Sequence, residues 1–306
     1  MTIDAHLDVS KRHDAVLLFD VKDGNPNGDP DSGNLPRVDP ETMEGLVTDV
    51  AIKRKVRDFV DITHGTEERY KIYVQDKGIA LNDLHARAYT ASGRKPTGTR
   101  QAREDVDVAR KWMCDNFFDV RTFGAVMSTG VNAGQVRGPM QLTFSRSFDP
   151  IIPLDISITR VAITRPEDAK VIVAETEGEA ATGGKVTEMG RKALVPYGLY
   201  KGNIFFSPQQ ATDTGFDDDD LALFWDALER MWDFDRSASR GMMACRGVVI
   251  FSHDNPFGNA PAHRLLERVS VTLNGGVTAP RAFADYTVSI DQEGLPDGVT
   301  MTHLGK

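Results

Sequence analysis

The sequence has 306 residues, of which 40% are hydrophobic, and a formal net charge of −9. This length can bury a full core in one elaborated domain or two ordinary ones. The sequence lacks both the roughly 18 consecutive apolar residues of a membrane span and an apolar signal peptide, so we expect a cytoplasmic globular protein.

The first predicted strand covers residues 15–19, a short apolar run bounded by charged and turn-forming residues. The loop 23–34, DGNPNGDPDSGN, follows it and opens like a calcium-binding loop. Its twelfth position is Asn34, which cannot supply the bidentate carboxylate of such a site, and Pro30 breaks the backbone pattern. We therefore expect neither calcium nor another metal here.

Next comes a helix that Thr48 can cap. Its apolar positions recur at helical spacing: Ile52, Val56, Phe59 and Val60. Lys53 and Arg57 lie one turn apart on a flank of this core face, and Arg54 and Lys55 are expected on the outside. Two cations beside a turn-rich loop can contact successive phosphates of a nucleic-acid strand. On charge pattern alone, however, a solvated helix beside a plain loop is favoured, because charge runs are usually solvated.

Residues 63–120 have the composition of an insertion. They contain a predicted helix at 82–91, an exposed and mobile linker at 92–100, and a longer helix at 104–118. Glycine-rich turns follow, from residue 123 onward.

A protruding β-hairpin is predicted in the middle of the chain. Leu154, Ile156 and Ile158 alternate with polar residues and predict a half-buried strand. A further strand at 170–175 leads into a tip of small residues and returns through 186–200.

The C-terminal third combines strands with one amphipathic helix. Strands are predicted at 203–207, 247–251 and 268–273. The helix carries an apolar row: Leu221, Trp225, Leu228 and Trp232. The acidic run Asp217 to Asp220 opens this helix and is expected to be solvated. Separate strands and helices indicate an α+β fold.

Several catalytic and metal motifs fail on spacing. Residues 178–187 match a P-loop poorly, because Val186 stands where a magnesium-binding Ser or Thr is needed. The sequence contains neither GxSxG nor HExxH, and His253 is expected to be structural or on the surface. Cys114 and Cys245 fit no disulfide or zinc spacing and are expected to be buried thiols. No cofactor is expected.

Four stretches, at residues 17–60, 123–151, 188–202 and 235–253, resemble the backbone subunit of the type I-C CRISPR Cascade complex. The resemblance runs from about residue 12 to about residue 285. It implies membership of the repeat-associated RNA-binding superfamily and an α+β fold with a modified RRM-like, ferredoxin-type core.

The resemblance also implies a single elaborated RRM-like domain shaped like a hand. The palm would comprise residues 12–62, 121–158 and 196–290, the helical fingers 63–120 and the hairpin thumb 159–195. Copies would stack head to tail along one guide RNA (crRNA), through an interface that extends a filament. The other implied partners are the target DNA strand paired with the crRNA and the large, small and crRNA-processing subunits of the complex, with no membrane.

Residue roles carry over from the family only by resemblance. The loop after the first strand and the next helix would line the RNA groove with Asn25, Asn27, Arg37, Lys53 and Arg57. The returning arm of the thumb would contribute Met189 as a wedge beside a base, and Arg191 and Lys192 as phosphate contacts. The glycine-rich turns would contribute Gln135, Arg137 and Arg240.

A metal-dependent ribonuclease is the alternative function. Related subunits of type III complexes cut target RNA with an aspartate in the loop after the first strand, where this sequence has Asp23, Asp29 and Asp31. The turn chemistry of these residues explains them without catalysis. The type I-C resemblance implies a scaffold with no catalytic residue.

Overall fold

The computed structural model describes residues 4–98, 100–162 and 188–305. The predicted strand at 170–175, the hairpin tip and the P-loop-like segment 178–187 lie outside these residues. The described helices are α1 (Asp49–His64), α2 (Leu81–Ala91), α3 (Arg103–Asn116), α4 (Phe118–Phe123), α5 (Pro208–Thr214), α6 (Asp218–Phe234) and α7 (Ala262–Leu266). The described strands are β1 (Arg12–Gly24), β2 (Gly28–Asp29), β3 (Leu35–Pro36), β4 (Glu44–Val47), β5 (Gly124–Val126), β6 (Gln135–Arg137), β7 (Met140–Leu142), β8 (Ser145–Pro150), β9 (Leu154–Arg160), β10 (Glu188–Phe206), β11 (Met242–His253), β12 (Val269–Leu273), β13 (Tyr286–Ile290) and β14 (Val299–Leu304).

Strand β1 is the central strand of the main sheet. Its neighbours β10 and β11 both run antiparallel to it, in the strand order β14-β11-β1-β10-β8-β4. The strand predicted at 15–19 is confirmed as the middle of β1. The strand continues to Gly24, with both of its faces buried along most of its length. The predicted α+β class is confirmed.

The two faces of β1 pack against different layers. Ala15, Leu17 and Phe19 pack against α1 and α6 in the largest hydrophobic cluster. Val16 and Leu18 pack on the other side, against α7 and the hairpin of β12 and β13. The predicted apolar row of α6 is confirmed, and all four side chains are buried: Leu221, Trp225, Leu228 and Trp232.

Strand β10 joins two elements that the sequence predicts as separate strands. Its last part pairs with β1, and its first part, Glu188 to Leu194, pairs with β9. We call this second pairing the ribbon. The strand predicted at Leu154, Ile156 and Ile158 is confirmed as β9, but its half-buried character is wrong, because all seven residues of β9 are exposed. The ribbon therefore presents apolar side chains to solvent.

The predicted insertion has a hydrophobic cluster of its own. The helices expected at 82–91 and 104–118 are confirmed as α2 and α3. Leu84, Tyr89 and Met113 are buried between them, together with residues of the following glycine-rich segment. Cys114 is also buried here, as predicted, whereas Cys245 is only half-buried.

A buried ion pair connects α4, at the end of this insertion, to α6. Arg121 and Asp220 are both fully buried, and the guanidinium donates from Nε and Nη2 to the two carboxylate oxygens over 2.7 Å each. Asp220 also completes a capping box with Asp217. The prediction that the acidic run is solvated is therefore wrong for Asp220. A buried carboxylate needs such partners, because removing an ion from water costs several kcal/mol.

The C-terminal strands were only partly predicted. The strand expected at 268–273 is β12, but it pairs with β13 and not with the main sheet. Strand β14 adds to the sheet edge beside β11, and neither β13 nor β14 was predicted. No helix in the described part of the chain combines the length and apolar character that a membrane crossing requires.

Two histidines on neighbouring strands are buried and hydrogen bonded. His253 Nε2 lies 3.0 Å from Asp14 Oδ2 and its Nδ1 accepts from the Asn259 N–H, which gives it the expected structural role. His13 lies 3.0 Å from both the Ser252 hydroxyl and the Asp8 carbonyl oxygen. Burial lowers the pKa of His13 from 6.5 to about 4.

This pKa shift predicts a loss of stability in acid. Between pH 6.5 and 4 the unfolded chain binds a proton at His13 that the folded chain does not, so the free energy of unfolding falls as pH falls, by up to about 1.4 kcal/mol per pH unit. We expect His13→Gln to make the fall shallower in urea denaturation. His263→Gln, at an exposed histidine, should keep the wild-type slope. Equal slopes for wild type and His13→Gln would contradict this.

Candidate nucleic-acid interface

A groove of about 480 Å³ lies between the loop after β1, one face of α1 and the loop before β11. Four cations line this α1 groove: Arg37, Arg54, Lys55 and Arg240. The groove is also lined by two carboxylates, Asp58 and Asp235, and by two exposed apolar side chains, Val50 and Phe144. The groove therefore combines positive charge with an apolar surface.

Asn25 shapes the loop from beneath the groove. It is 2% exposed, its Nδ2 donates to the Asn34 carbonyl over 2.7 Å, and its backbone N–H donates to the Ser239 carbonyl over 2.7 Å. The side chain predicted to face RNA is thus turned into the loop. Its position fixes the path of the backbone around the groove.

Asn27 and Arg37, both predicted to contact RNA, line the α1 groove. Asn27 Oδ1 accepts from the Thr48 N–H over 3.0 Å, which ties the loop to the N-terminus of α1. The Arg37 guanidinium lies 3.5 Å from Asp29, and its Nε–H is buried without a hydrogen-bond partner among the described residues. Arg37 therefore retains hydrogen-bonding capacity.

Arg54 and Arg240 are the other partly exposed cations of the groove. The Arg54 side chain is 59% exposed and lies 3.1 Å from Asp76 and 3.7 Å from Asp58. The Arg240 Nε lies 3.3 Å from Asp235. Burial, with the nearby charge of Arg54, lowers the pKa of Arg240. Both guanidiniums can offer further donors to an anion in the groove.

Lys55 is buried, so the prediction that it lies on the outside of the helix is wrong. Only 4% of its side chain is exposed, and its Nζ contacts Asp235 and lies 5.7 Å from the centre of the Trp232 ring. Burial lowers the pKa of Lys55 to about 7, and the charge of Arg240 acts in the same direction. The Asp235 carboxylate is the counter-charge that this buried ammonium requires.

Lys53 and Arg57 lie on the opposite flank of α1, away from the groove. Lys53 Nζ is 2.8 Å from Asp49, and Arg57 Nε is 2.7 Å from the fully buried Asp119. Both cations also lie over the ring of Phe123 at the end of α4, 5.5 Å and 5.3 Å from its centre. They hold α1 against α4. RNA contact by either stays a prediction that this geometry does not favour.

Gln135 and Arg137 are exposed on β6, far from the α1 groove. Arg137 lines a separate cavity of about 320 Å³ with Arg12 and Phe257, at the start of β1. The α1 groove lies at the other end of that strand, roughly 40 Å of extended chain away. The structure therefore does not bring these two residues together with Arg240.

The three predicted thumb residues lie on the ribbon. Met189 is 74% exposed, and the Arg191 side chain is 80% exposed and pairs with Asp155 over 3.2 Å. Alternation along the strand puts Lys192, opposite Ile156, on the other face. Met189 and Arg191 thus lie on one face of the ribbon, and Lys192 lies on the other.

Among the loop carboxylates, Asp29 has structural partners. Asp29 accepts from the Asp31 N–H and from the Ser32 hydroxyl, both over 3.2 Å. In residues 4–98, 100–162 and 188–305, no three or more His, Cys, Asp or Glu side chains are placed to hold a metal ion. Asp23 lies near the end of β1 and has φ 50°. Asp29 therefore serves as a cap residue of the loop.

Sequence reasoning missed four residues of the groove: Val50, Asp58, Phe144 and Asp235. It placed Arg54 on the outside of the helix but did not assign it to the groove. Arg54 and Asp58 carried a signal, because a position opposite the core face of a helix is solvent-exposed. The others gave none, because their place in the groove depends on tertiary contacts.

Comparisons with known proteins agree on one family. Residues 11–291 match the family model described as CRISPR-associated protein Cas7. A curated CRISPR-associated protein Cas7 from Haloferax volcanii is 32% identical over 130 residues, which cover 38% of this chain and 32% of the relative. The match thus spans about a third of that relative's length.

One solved structure shares the fold at low sequence identity, and a second is less similar. A chain of a "CRISPR RNA-guided surveillance complex, pre-nicking" matches with a TM-score of 0.51 and 13% identity, over 88% of this chain and 84% of that one. A chain of a second "CRISPR RNA-guided surveillance complex" matches with a TM-score of 0.47 and 15% identity, over 87% and 78%. The first structure supports the assignment of the fold and nothing further.

The opposite flank of α1 yields a stability prediction. Arg57→Met leaves Asp119 buried without its cation, so we expect the free energy of unfolding to fall by about 3–5 kcal/mol. Lys53→Met removes a pair within one helix and should cost less than about 1 kcal/mol. Urea denaturation measures both. Equal costs for the two single variants would contradict the assignment.

Proposed function

The chain belongs to the Cas7 family of CRISPR-associated proteins, and on that premise we propose that it is a non-catalytic backbone subunit that binds the guide RNA of a type I-C Cascade complex. The four stretches that resemble that subunit support the subtype. The α1 groove is the observation that carries the binding role.

The groove suits a strand of any sequence. Its cations come from three separate segments, so they can contact successive phosphates along one strand. Phosphate contacts fix the register of a strand and carry no sequence information. The bases then remain available to pair with the target DNA. This is the chemistry that a subunit holding many different guides requires.

Several copies of the chain are proposed to assemble head to tail on one guide. In this arrangement the main sheet is the palm, the helices between residues 63 and 120 are the fingers, and the ribbon belongs to the thumb. Leu154, Ile156 and Ile158 expose 40%, 42% and 49% of their surface on one face of the ribbon. Burying this face against the next copy would remove it from water. The large, small and crRNA-processing subunits are the further proposed partners.

The ribonuclease alternative is not favoured. It rests on the aspartates of the loop after β1, and Asp29 already caps the turn and contacts Arg37. The described residues contain no group that could hold the metal such a reaction needs. No specific observation therefore supports a loop aspartate as a catalytic group.

The groove makes a prediction about salt dependence. Binding of single-stranded RNA should weaken steeply as salt rises, because each phosphate contact releases a counterion. Arg54→Ala should lower the affinity for every sequence tested and reduce the slope of log K against log salt by about 1. Fluorescence anisotropy at four or more salt concentrations measures this.

A matched control is Arg110→Ala on α3. The Arg110 side chain is 46% exposed and pairs with Asp107 over 3.2 Å, so it is as solvated as Arg54 but lies outside the groove. It should keep the wild-type slope. If both variants behave like wild type, or both change alike, the groove is not the RNA site.

The ribbon makes a separate prediction about assembly. Ile156→Ser together with Ile158→Ser should reduce the number of copies that load on a long RNA, because the apolar contact between copies is lost. Binding of one copy to a short oligonucleotide should remain. Mass photometry on RNAs of increasing length distinguishes the two effects. Thr159→Ser, on the opposite face, is the control, and unchanged loading by the double variant would count against the docking role.

A further inference from the structure

We propose that Phe144 is a stacking platform for an unpaired nucleobase in the α1 groove, and that it makes the groove prefer single-stranded over double-stranded nucleic acid. This inference deepens the proposed function and rests on it. It assigns an occupant to an exposed aromatic ring that packing within the described fold does not explain.

Phe144 occupies an unusual position for its residue type. It lies in the short connection between β7 and β8, and 56% of its surface is exposed. Two aromatic residues of the neighbouring strand, Tyr200 and Phe206, are almost fully buried by contrast. Leaving a large ring in water forgoes the stabilisation that its burial would provide. An exposed ring in a groove is therefore a candidate contact for a ligand.

The backbone next to this ring is anchored to β10. The Thr143 N–H donates to the Asn203 carbonyl over 2.9 Å, and the Asn203 N–H donates to the Thr143 hydroxyl over 3.1 Å. These two bonds tie the residue before Phe144 to β10. A ring anchored this way gives a ligand a pre-positioned surface, which lowers the ordering cost of binding.

The charges around Phe144 identify the class of occupant. The ring lines the same groove as Arg37, Arg54 and Arg240, and Val50, 64% exposed, adds a second apolar side chain. A purely apolar partner would take these guanidiniums out of water and offer them no anion beyond their present carboxylate partners. A nucleic-acid strand supplies both parts, because its phosphates pair with the cations while a base covers the ring.

Stacking on Phe144 explains a preference for single strands. Every base has a π-face, so stacking tolerates any sequence, as a guide-binding groove requires. The bases of a duplex already stack on their neighbours and would have to be displaced to reach the ring. An unpaired base needs no such displacement. Phosphate contacts alone would give no comparable preference.

The experiment uses single-stranded RNAs that carry 2-aminopurine at successive positions, with the full chain as wild type, Phe144→Ala and Phe144→Trp. In wild type and Phe144→Trp we expect the 2-aminopurine fluorescence to be quenched when the label is at defined positions of the RNA. In Phe144→Ala the quenching should disappear and the affinity should fall about 5- to 150-fold, the range that one lost base stack gives. RNA that is abasic at the quenched position should bind wild type and Phe144→Ala equally, and duplex RNA should also show no difference.

The control is Phe257→Ala, because Phe257 is 77% exposed but lines the cavity at the other end of β1. This variant should quench the 2-aminopurine fluorescence and bind RNA as wild type does. RNA binding with equal affinity and quenching in wild type and Phe144→Ala would overturn the stacking role and leave the proposed function intact. A loss of self-association in Phe144→Ala with unchanged quenching would overturn it in favour of a protein contact. If wild type binds no RNA, both proposals fail.

Discussion

The α1 groove depends on the close contact of two backbones at Gly24 and Gly241, where the loop after β1 meets the loop before β11. A Cβ at Gly24 would lie 1.9 Å from the Arg240 carbonyl oxygen, and a Cβ at Gly241 would lie 2.4 Å from the Asp23 carbonyl oxygen. Gly241 also has φ +62°, which side chains disfavour. Because only glycine allows this approach, the pairing of β1 with β11 can bring Arg240 beside Asn27 and α1. Main-chain geometry therefore positions the groove cations.

The rotation of α1 about its axis decides which of its cations face the groove. Arg57 is fixed by Asp119, 62 residues away in the chain, and Lys55 by Asp235, 180 residues away. Helical periodicity identified the core face, and Ile52, Val56, Phe59 and Val60 are buried as predicted. Periodicity cannot tell the two flanks of that face apart, since both carry a basic residue. The partners that distinguish them come from distant segments, which one sequence does not reveal.

The same limit explains the other successes and errors. Elements with a strong local pattern were predicted, such as β1, α1 with its Thr48 cap and the apolar row of α6. The burial of Asp220 was missed because it depends on Arg121, which lies in a different helix. The exposure of β9 was missed because alternation shows that a strand has an apolar face but not whether another layer covers it. Local physics thus predicted the elements and their inward faces, whereas the groove is made by contacts between them.

The ion pairs also explain how an acidic protein can offer a binding surface to a polyanion. Each groove cation has a carboxylate partner, but the pairs differ in solvation. The Arg54 pair with Asp76 is largely exposed, and such pairs contribute little to stability, so a phosphate can replace the carboxylate at low cost. The Arg57 pair with Asp119 is buried, and opening it would leave the carboxylate without a counter-charge, held only by the backbone N–H groups of Tyr73 and Val74. Exposure, and not the number of cations, therefore determines which part of α1 can exchange a carboxylate for a phosphate.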